Sequence, residues 1–229
     1  MLVSHSDPAH THEFAYDELV LAVGAVPNFY GIPGLEEHAL TMKTLGDAMQ
    51  LRNRLIDSLA KIESKILIWT AGTTPSEVLS SLPCKRERGR ILANDSFCVE
   101  GYPGVWALGD CALAVNAVTG APCPPKAQFA VRQGRHLARN LLLSLRGGPT
   151  RPFRYRERGS LATVGHLNGV ARVFGLSLTG LPAWLMWRAY YLSQMPTFGR
   201  KLRIFVEWTW GMFFPADITH FRFSKSKEL

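Results

Sequence analysis

No G-x-G-x-x-G segment occurs anywhere in this chain of 229 residues. That turn lets glycines bring the backbone against a pyrophosphate at a helix N-terminus, so its absence excludes a self-contained dinucleotide cradle of that kind. No C-x-x-C pair occurs either. Cys84, Cys98, Cys111 and Cys123 are scattered, and read as small buried hydrophobes or free thiols in a reducing compartment. Cys111 follows Gly109-Asp110 directly and is placed to touch a cofactor, but no second cysteine is spaced to make a redox pair. His5, His10 and His12 lie in a polar N-terminal segment without supporting cysteine or carboxylate spacing, so no metal site is expected. The opening MLVSHSDPAHTHEF has no basic n-region and no apolar h-region, so it is not expected to be a signal peptide. No run approaches the ~20 apolar residues of a spanning helix. Internal repeats and low-complexity tracts are also missing.

Apolar residues make up 47% of the chain, enough for a core, and the length suits one domain plus an appendage. The charge is unevenly placed. Residues 151–229 hold 12 Lys and Arg against 4 Asp and Glu, while residues 1–150 hold 14 of each, so the whole +8 sits in the last third. Four of the six tryptophans sit there too. A basic, aromatic tail points to nucleic acid or to an anionic membrane surface. Its aromatics lie in dense apolar helical runs rather than isolated on a polar groove, which favours the membrane.

Three strand-like segments each run into a glycine: Tyr16 to Ala25 (YDELVLAVGA, with Gly24), Ile66 to Gly72 (ILIWTAG) and Val105 to Gly109 (VWALG). They predict strands over Leu19–Val23, Ile66–Thr70 and Val105–Leu108. After the last, Gly109-Asp110 offers a close backbone approach and a carboxylate that accepts hydrogen bonds from hydroxyls. An ordinary strand-to-loop turn also uses Gly and Asp. Helical spacing predicts Thr44–Ile62, a short helix at Pro75–Leu82, and a long helix over Ala127–Leu145 stopped by Arg146-Gly147-Gly148-Pro149. Ile91–Val99 is expected extended, and Ala114–Pro125 is expected to be a loop. Ser160–Gly165 and Val170–Phe174 predict a hairpin around His166-Leu167-Asn168-Gly169. Pro182–Met195 and Arg200–Phe214 predict two helices, the second ended by Pro215.

In order, YDELVLAVGAVPNFYGIPGLEEHALTMKTLGDAMQLRNRL, ILIWTAG, GVWALGDCA, PPKAQFAVRQGRHLARN, WLMWRAYYLSQMP and RKLRIFVEWTWGMFFPADI resemble the type II NADH dehydrogenases, single-subunit NADH:quinone oxidoreductases of the FAD-dependent pyridine nucleotide-disulfide oxidoreductase superfamily. The resemblance implies an α/β chain: a partial FAD-binding, glutathione-reductase-like Rossmann-type domain over 1–150, then a β-hairpin and amphipathic membrane-surface helices over 151–229. The family's NADH domain would fall near residues 60–66, where this chain passes from Asn53–Asp57 to Ile66 within a few residues. The resemblance also implies FAD as cofactor and NADH as electron donor. Gly24, Gly72, Gly109 and Asp110 would face FAD, with Asp110 on its ribityl chain.

Ala127 and Gln128 open the helix that the family aims at the flavin ring and the quinone. Its N-terminal partial positive charge suits an anionic reduced flavin, and Gln128 suits a quinone carbonyl. Where many relatives carry a second Gln this chain has Arg132, then Gln133. Gln128 and Gln133 are about 500° apart on the helix, not quite on one face. Both are candidate quinone contacts, and Gln128 is the candidate catalytic residue. Trp184, Trp187, Arg188, Arg200, Arg203, Trp208 and Trp210 are the candidate membrane contacts; packing on the domain or on a homodimer partner is the alternative for these helices. The expected function is electron transfer from NADH through FAD to a membrane quinone. The expected location is peripheral on a membrane, on the cytoplasmic side of a bacterial inner membrane or its organellar equivalent. A non-catalytic, membrane-bound remnant or interaction module without FAD is the rival reading. A sulfide-using flavoprotein would need placed redox cysteines, and no nucleic acid is expected.

Overall fold

The computed structural model describes residues 2–4, 11–61, 66–157 and 159–214. His5, His10, Ile62, Pro215 and the rest of the C-terminal segment lie outside the described residues, as do the side chains of 2–13 and 57–61. The chain divides into two units, 1–155 and 156–229.

In the first unit β1 (Leu2–Ser4) pairs antiparallel with β2 (Thr11–Glu13). Next come β3 (Leu19–Leu21), β4 (Ala25–Pro27), the one-turn helix α1 (Leu35–His38), β5 (Leu40–Thr41) and α2 (Leu45–Lys61). The strand β6 (Ile68–Trp69) runs parallel to β5, and β7 (Thr73–Pro75) pairs antiparallel with β4. After a 3-10 turn at Glu77–Ser81 follow β8 (Arg86–Glu87), β9 (Arg90–Ala93) and β10 (Val105–Ala107), the last parallel to β3. A second 3-10 turn, Gly109–Cys111, leads into β11 (Ala112–Ala114), parallel to β9, and then the long α3 (Ala127–Leu145).

The three expected strands are present, yet they are shorter than the apolar runs that predicted them. Among the described residues the strands form sheets of two or three rather than one continuous sheet. The expected helix at Pro75–Leu82 is a strand end followed by the 3-10 turn. The expected extended Ile91–Val99 is broken after Ala93, because the Asn94 Oδ1 accepts the backbone N–H groups of Ser96 and Cys98, each at 2.9 Å, and closes a turn.

The core of this unit gathers Leu21, Ile91, Phe97, Val105, Trp106, Cys111, Phe129 and Leu137. The core-facing stripe of α3 is Phe129, Gln133, Leu137 and Asn140, each buried, at the i, i+4, i+8, i+11 spacing of one helix face. Two of the four are polar and need partners. Asn140 Nδ2 donates to Ser96 and Arg151 carbonyls, and its Oδ1 accepts from the Arg151 N–H. At the C-terminus Gly148 N–H reaches the Leu143 carbonyl and Gly147 N–H the Ser144 carbonyl, a Schellman ending. Glu18, at the foot of β3, accepts from the Trp106 indole at 2.6 Å and from the Ser144 hydroxyl at 2.7 Å. One carboxylate thus ties β3, β10 and the end of α3 together.

The second unit is an antiparallel meander, β12 (Gly159–Thr163), β13 (Gly169–Val173) and β14 (Leu176–Thr179), followed by α4 (Leu181–Gln194) and α5 (Phe198–Phe213). The third strand was not expected, although Leu176-Ser177-Leu178-Thr179 alternates apolar and polar over its four residues. A Cβ on Gly169 would lie 2.9 Å from the Trp184 N and 3.1 Å from its Cα, so α4 rests directly on the backbone of β13. No described helix is long and apolar enough to cross a membrane.

Candidate functional site

The parallel pair β3–β10 ends in two left-handed glycines, Gly24 and Gly109, with φ of 70° and 75°. They are neighbours, because the Cys111 thiol donates to the Leu21 and Leu108 carbonyls and meets backbone groups of Val23 and Gly24. The 3-10 turn carries Asp110 directly after Gly109. Its half-buried carboxylate has no hydrogen-bond partner among the described residues. The guanidinium of Arg90, on β9, is within electrostatic reach. Arg90 Nη2 donates to the Ala112 and Cys123 carbonyls, while its buried Nε has no partner among the described residues. Burial lowers the Arg90 pKa, and Asp110 first among its neighbours raises it. Arg90 was not singled out from the sequence; a basic residue within Arg-Gly-Arg reads as an exposed turn.

The first turn of α3 faces the same tip. A Cβ on Gly109 would lie 3.6 Å from that of Ala130, and no side chain caps the helix at Lys126. Ala127 is its exposed first residue. Gln128 Nε2 donates to the Tyr155 hydroxyl at 2.6 Å. Arg132 donates to the Gln128 carbonyl at 2.8 Å and lies 4.5 Å over the Tyr155 ring. Phe129 meets the same ring edge-on at 5.0 Å. The sequence reading missed Tyr155, which lies beyond the end of α3 in a stretch without a motif, 27 residues from Gln128.

Gln133 is a correction. It is 2% exposed, and its Oε1 accepts the Gly109 N–H at 2.8 Å. It also lies beside the Cys123 thiol. A side chain so placed holds the Gly109 turn and cannot face a quinone. Gly72 is a second. A Cβ there would fall 2.2 Å from the Tyr30 hydroxyl oxygen, so the packing of Tyr30 accounts for this glycine; it sits at the far end of the β4–β7 ribbon from Gly24. The Cys111 thiol is fully buried, and desolvation raises its pKa, which disfavours the thiolate needed for redox chemistry. Among the described residues no cluster of three His, Cys, Asp or Glu is placed to hold a metal.

On α5, Arg200, Arg203 and Glu207 share one flank, with Arg203 paired to Glu207 at 2.8 Å. Phe198, Leu202, Phe205, Val206 and Phe213 form an exposed stripe on another face. Of the tryptophans expected at a membrane, Trp210 is exposed at 64%. Trp184, Trp187 and Trp208 are half-buried around Arg188 within the second unit.

Residues 56–134 match the family model described as pyridine nucleotide-disulphide oxidoreductase, and residues 158–217 match the NDH2 C-terminal domain. A type II NADH:quinone oxidoreductase of Staphylococcus saprophyticus is 33% identical over 57% of this chain and 32% of its own length. An internal alternative NAD(P)H-ubiquinone oxidoreductase A1, mitochondrial, of Solanum tuberosum is 25% identical over 94% of this chain and 48% of its own length. The chain therefore spans about a third to a half of the curated relatives it matches. The solved NDH2 of Plasmodium falciparum in complex with NADH superposes with a TM-score of 0.78 at 12% identity, covering 90% of this chain and 79% of that one. With its glycine–aspartate strand tip under a helix N-terminus, the pyridine nucleotide-disulphide oxidoreductase match over 56–134 and the NDH2 C-terminal match over 158–217, the chain is similar to the type II NADH dehydrogenases in both of its units.

Proposed function

We propose that this chain forms the flavin-ring and quinone side of an NADH:quinone oxidoreductase that works on a membrane surface. One observation carries the reading. The left-handed Gly109 turn is pinned under the first turns of α3, and it presents the Asp110 carboxylate without a protein hydrogen-bond partner among the described residues. A half-buried carboxylate in that state suits ligand hydroxyls. FAD, when bound, supplies the two-electron carrier between NADH and quinone.

The residues fit FAD in part. Asp110, Gly109 and Gly24 would hold its ribityl chain, and Ala127 and Gln128 would present a helix N-terminus to the ring. No glycine-rich turn is present for its pyrophosphate or for that of NADH. For the quinone, Gln128 and Tyr155 act as a pair. Tyr155 accepts from Gln128, so its own O–H remains to donate to a carbonyl, and Gln128 Oε1 remains to accept from a hydroquinone. Arg132, stacked on Tyr155, holds that ring in place. The exposed apolar stripe of α5 and its basic flank would rest on the lipid surface.

The test is flavin content. Protein purified in the presence of FAD should carry bound flavin absorbance, and titration of the apo chain with FAD should saturate. A colourless protein with no FAD affinity would leave the rival reading, a membrane-bound module without a cofactor.

A further inference from the structure

One charge is held inside the aromatic layer between the two C-terminal helices. Arg188 is the only charged residue of α4. Its guanidinium lies 4.5 Å from the Trp184 ring centroid and 5.5 Å from that of Trp208 on α5. Trp187 continues the layer, 5.6 Å from Trp208 and 4.5 Å from Tyr191. Arg188 Nη1 is covered, and it has no hydrogen-bond partner among the described residues. Burial pulls the Arg188 pKa down, and among the described residues no acidic neighbour raises it.

The elements packed on α4 offer this charge no counter-ion. Arg172 on β13 and Arg200, Lys201 and Arg203 on α5 have the same sign. The one carboxylate of α5, Glu207, is taken by Arg203 at 2.8 Å. A guanidinium with one nitrogen covered and without a partner among the described residues is costly to keep. The tryptophans use its π-faces, which leaves in-plane donors in a fork that matches a phosphate or carboxylate. The surroundings narrow the choice. Arg188 shares one stripe of α4 with Leu181, Leu185 and Leu192, at i, i+4, i+7 and i+11, and Leu181 and Leu185 are exposed. An anion that reaches this fork does so across an apolar surface. A lipid headgroup does that while its acyl chains cover the leucines.

We propose that Arg188, clamped between Trp184 and Trp208, is a binding site for the phosphate of an anionic phospholipid headgroup. The proposal rests on the membrane-surface reading above and deepens it. It accounts for an unpaired charge that packing alone would eliminate.

The test uses the whole 229-residue chain with vesicles of phosphatidylcholine alone and of phosphatidylcholine mixed with phosphatidylglycerol. Arg188→Met should bind the mixed vesicles about five-fold more weakly, the scale of one basic side chain at an anionic surface. Its thermal midpoint should stay or rise, because a buried unpaired charge is gone. Arg188→Lys should also bind more weakly, since an ammonium neither forks nor stacks in the same way, and this variant carries the test if Arg188→Met fails to fold. Wild-type affinity in Arg188→Met overturns the proposal, as does full affinity in Arg188→Lys, which would leave only diffuse charge. Release by inorganic phosphate at matched ionic strength would assign the site to free phosphate instead. A solution dimer that Arg188→Met dissociates would assign the face to a second copy of this chain. If the wild-type chain ignores both vesicles, the membrane reading itself fails; if it binds and the variants bind equally, only the Arg188 site fails.

Discussion

Asp110 and Gln133 show how differently two polar residues near one turn can be employed. Asp110 has no protein hydrogen-bond partner among the described residues, yet its charge supports the partly buried Arg90. Asp110→Ala is expected to weaken FAD binding by about 1–3 kcal/mol, measured by titrating the apo chain, and also to lower the thermal midpoint, because Arg90 loses the opposite charge of Asp110. Gln133 is the reverse case. Gln133→Leu strands the Gly109 N–H, and should destabilise the first unit by about 1–3 kcal/mol in denaturant titration. Gln128→Ala leaves only the Tyr155 hydroxyl to readjust, at a half-buried position, so it should alter quinone KM far more than stability. The turn that carries Asp110 was legible because strand, glycine and aspartate occur together. Gln133 was mis-assigned although the clue was present: it sits at i+4 from Phe129 and i−4 from Leu137, on the buried stripe. Tyr155 and Arg90 were missed because their partners are distant in sequence, and pattern carries no tertiary information.

At the scale of elements, the long helices were read closely because periodicity and stop signals agree, as in α3 with its Gly-Gly-Pro ending. The sheets were read less well. An apolar run such as Ile66–Gly72 marks where a strand passes and not how many of its residues pair; only Ile68–Trp69 do. The start of α2 has a device that makes it pH-sensitive. Asp47 accepts from the Thr41 and Thr44 hydroxyls and from the Lys43 and Thr44 N–H groups, while Thr44 Oγ1 accepts the Asp47 N–H, a reciprocal capping box. These bonds, the Thr44 hydroxyl first, hold the Asp47 pKa far below the ordinary aspartate value. A depressed folded pKa means that the stabilisation is complete above the unfolded pKa of 3.8 and is lost as pH falls from there towards the folded value. Circular dichroism should therefore show α2 weakening as pH drops below about 4. Asp47→Asn should be less helical at neutral pH and should lack that acid-dependent step. In the second unit Gly169→Ala has no room under Trp184, so it should lift α4 from β13 and lower the thermal midpoint.

The whole molecule divides its work by charge. The balanced first 150 residues carry the Gly-Asp turn and α3, and the basic remainder carries the aromatic helices. That asymmetry was plain in composition, whereas the place of Arg188 inside the aromatic layer needed coordinates. The same division bounds what the chain does with NADH. A hydride donor has to be held with its nicotinamide against the flavin, and its pyrophosphate is ordinarily anchored by a glycine-rich turn at a helix N-terminus. No such turn occurs between residues 1 and 229, and the passage from α2 to β6 is only a few residues long. The chain alone should therefore bind NADH weakly and reduce quinone from it far more slowly than the matched relatives. Quinone reduction should return when the flavin is reduced chemically, because the acceptor pair proposed above, Gln128 and Tyr155, does not depend on NADH. Steady-state assays with NADH, set beside anaerobic mixing of pre-reduced, flavin-loaded protein with a short-chain quinone, separate the two halves. Rapid NADH-dependent turnover by the 229-residue chain would show that an unrecognised nucleotide site exists. Failure of pre-reduced protein to pass electrons to quinone would remove Gln128 and Tyr155 from the acceptor site.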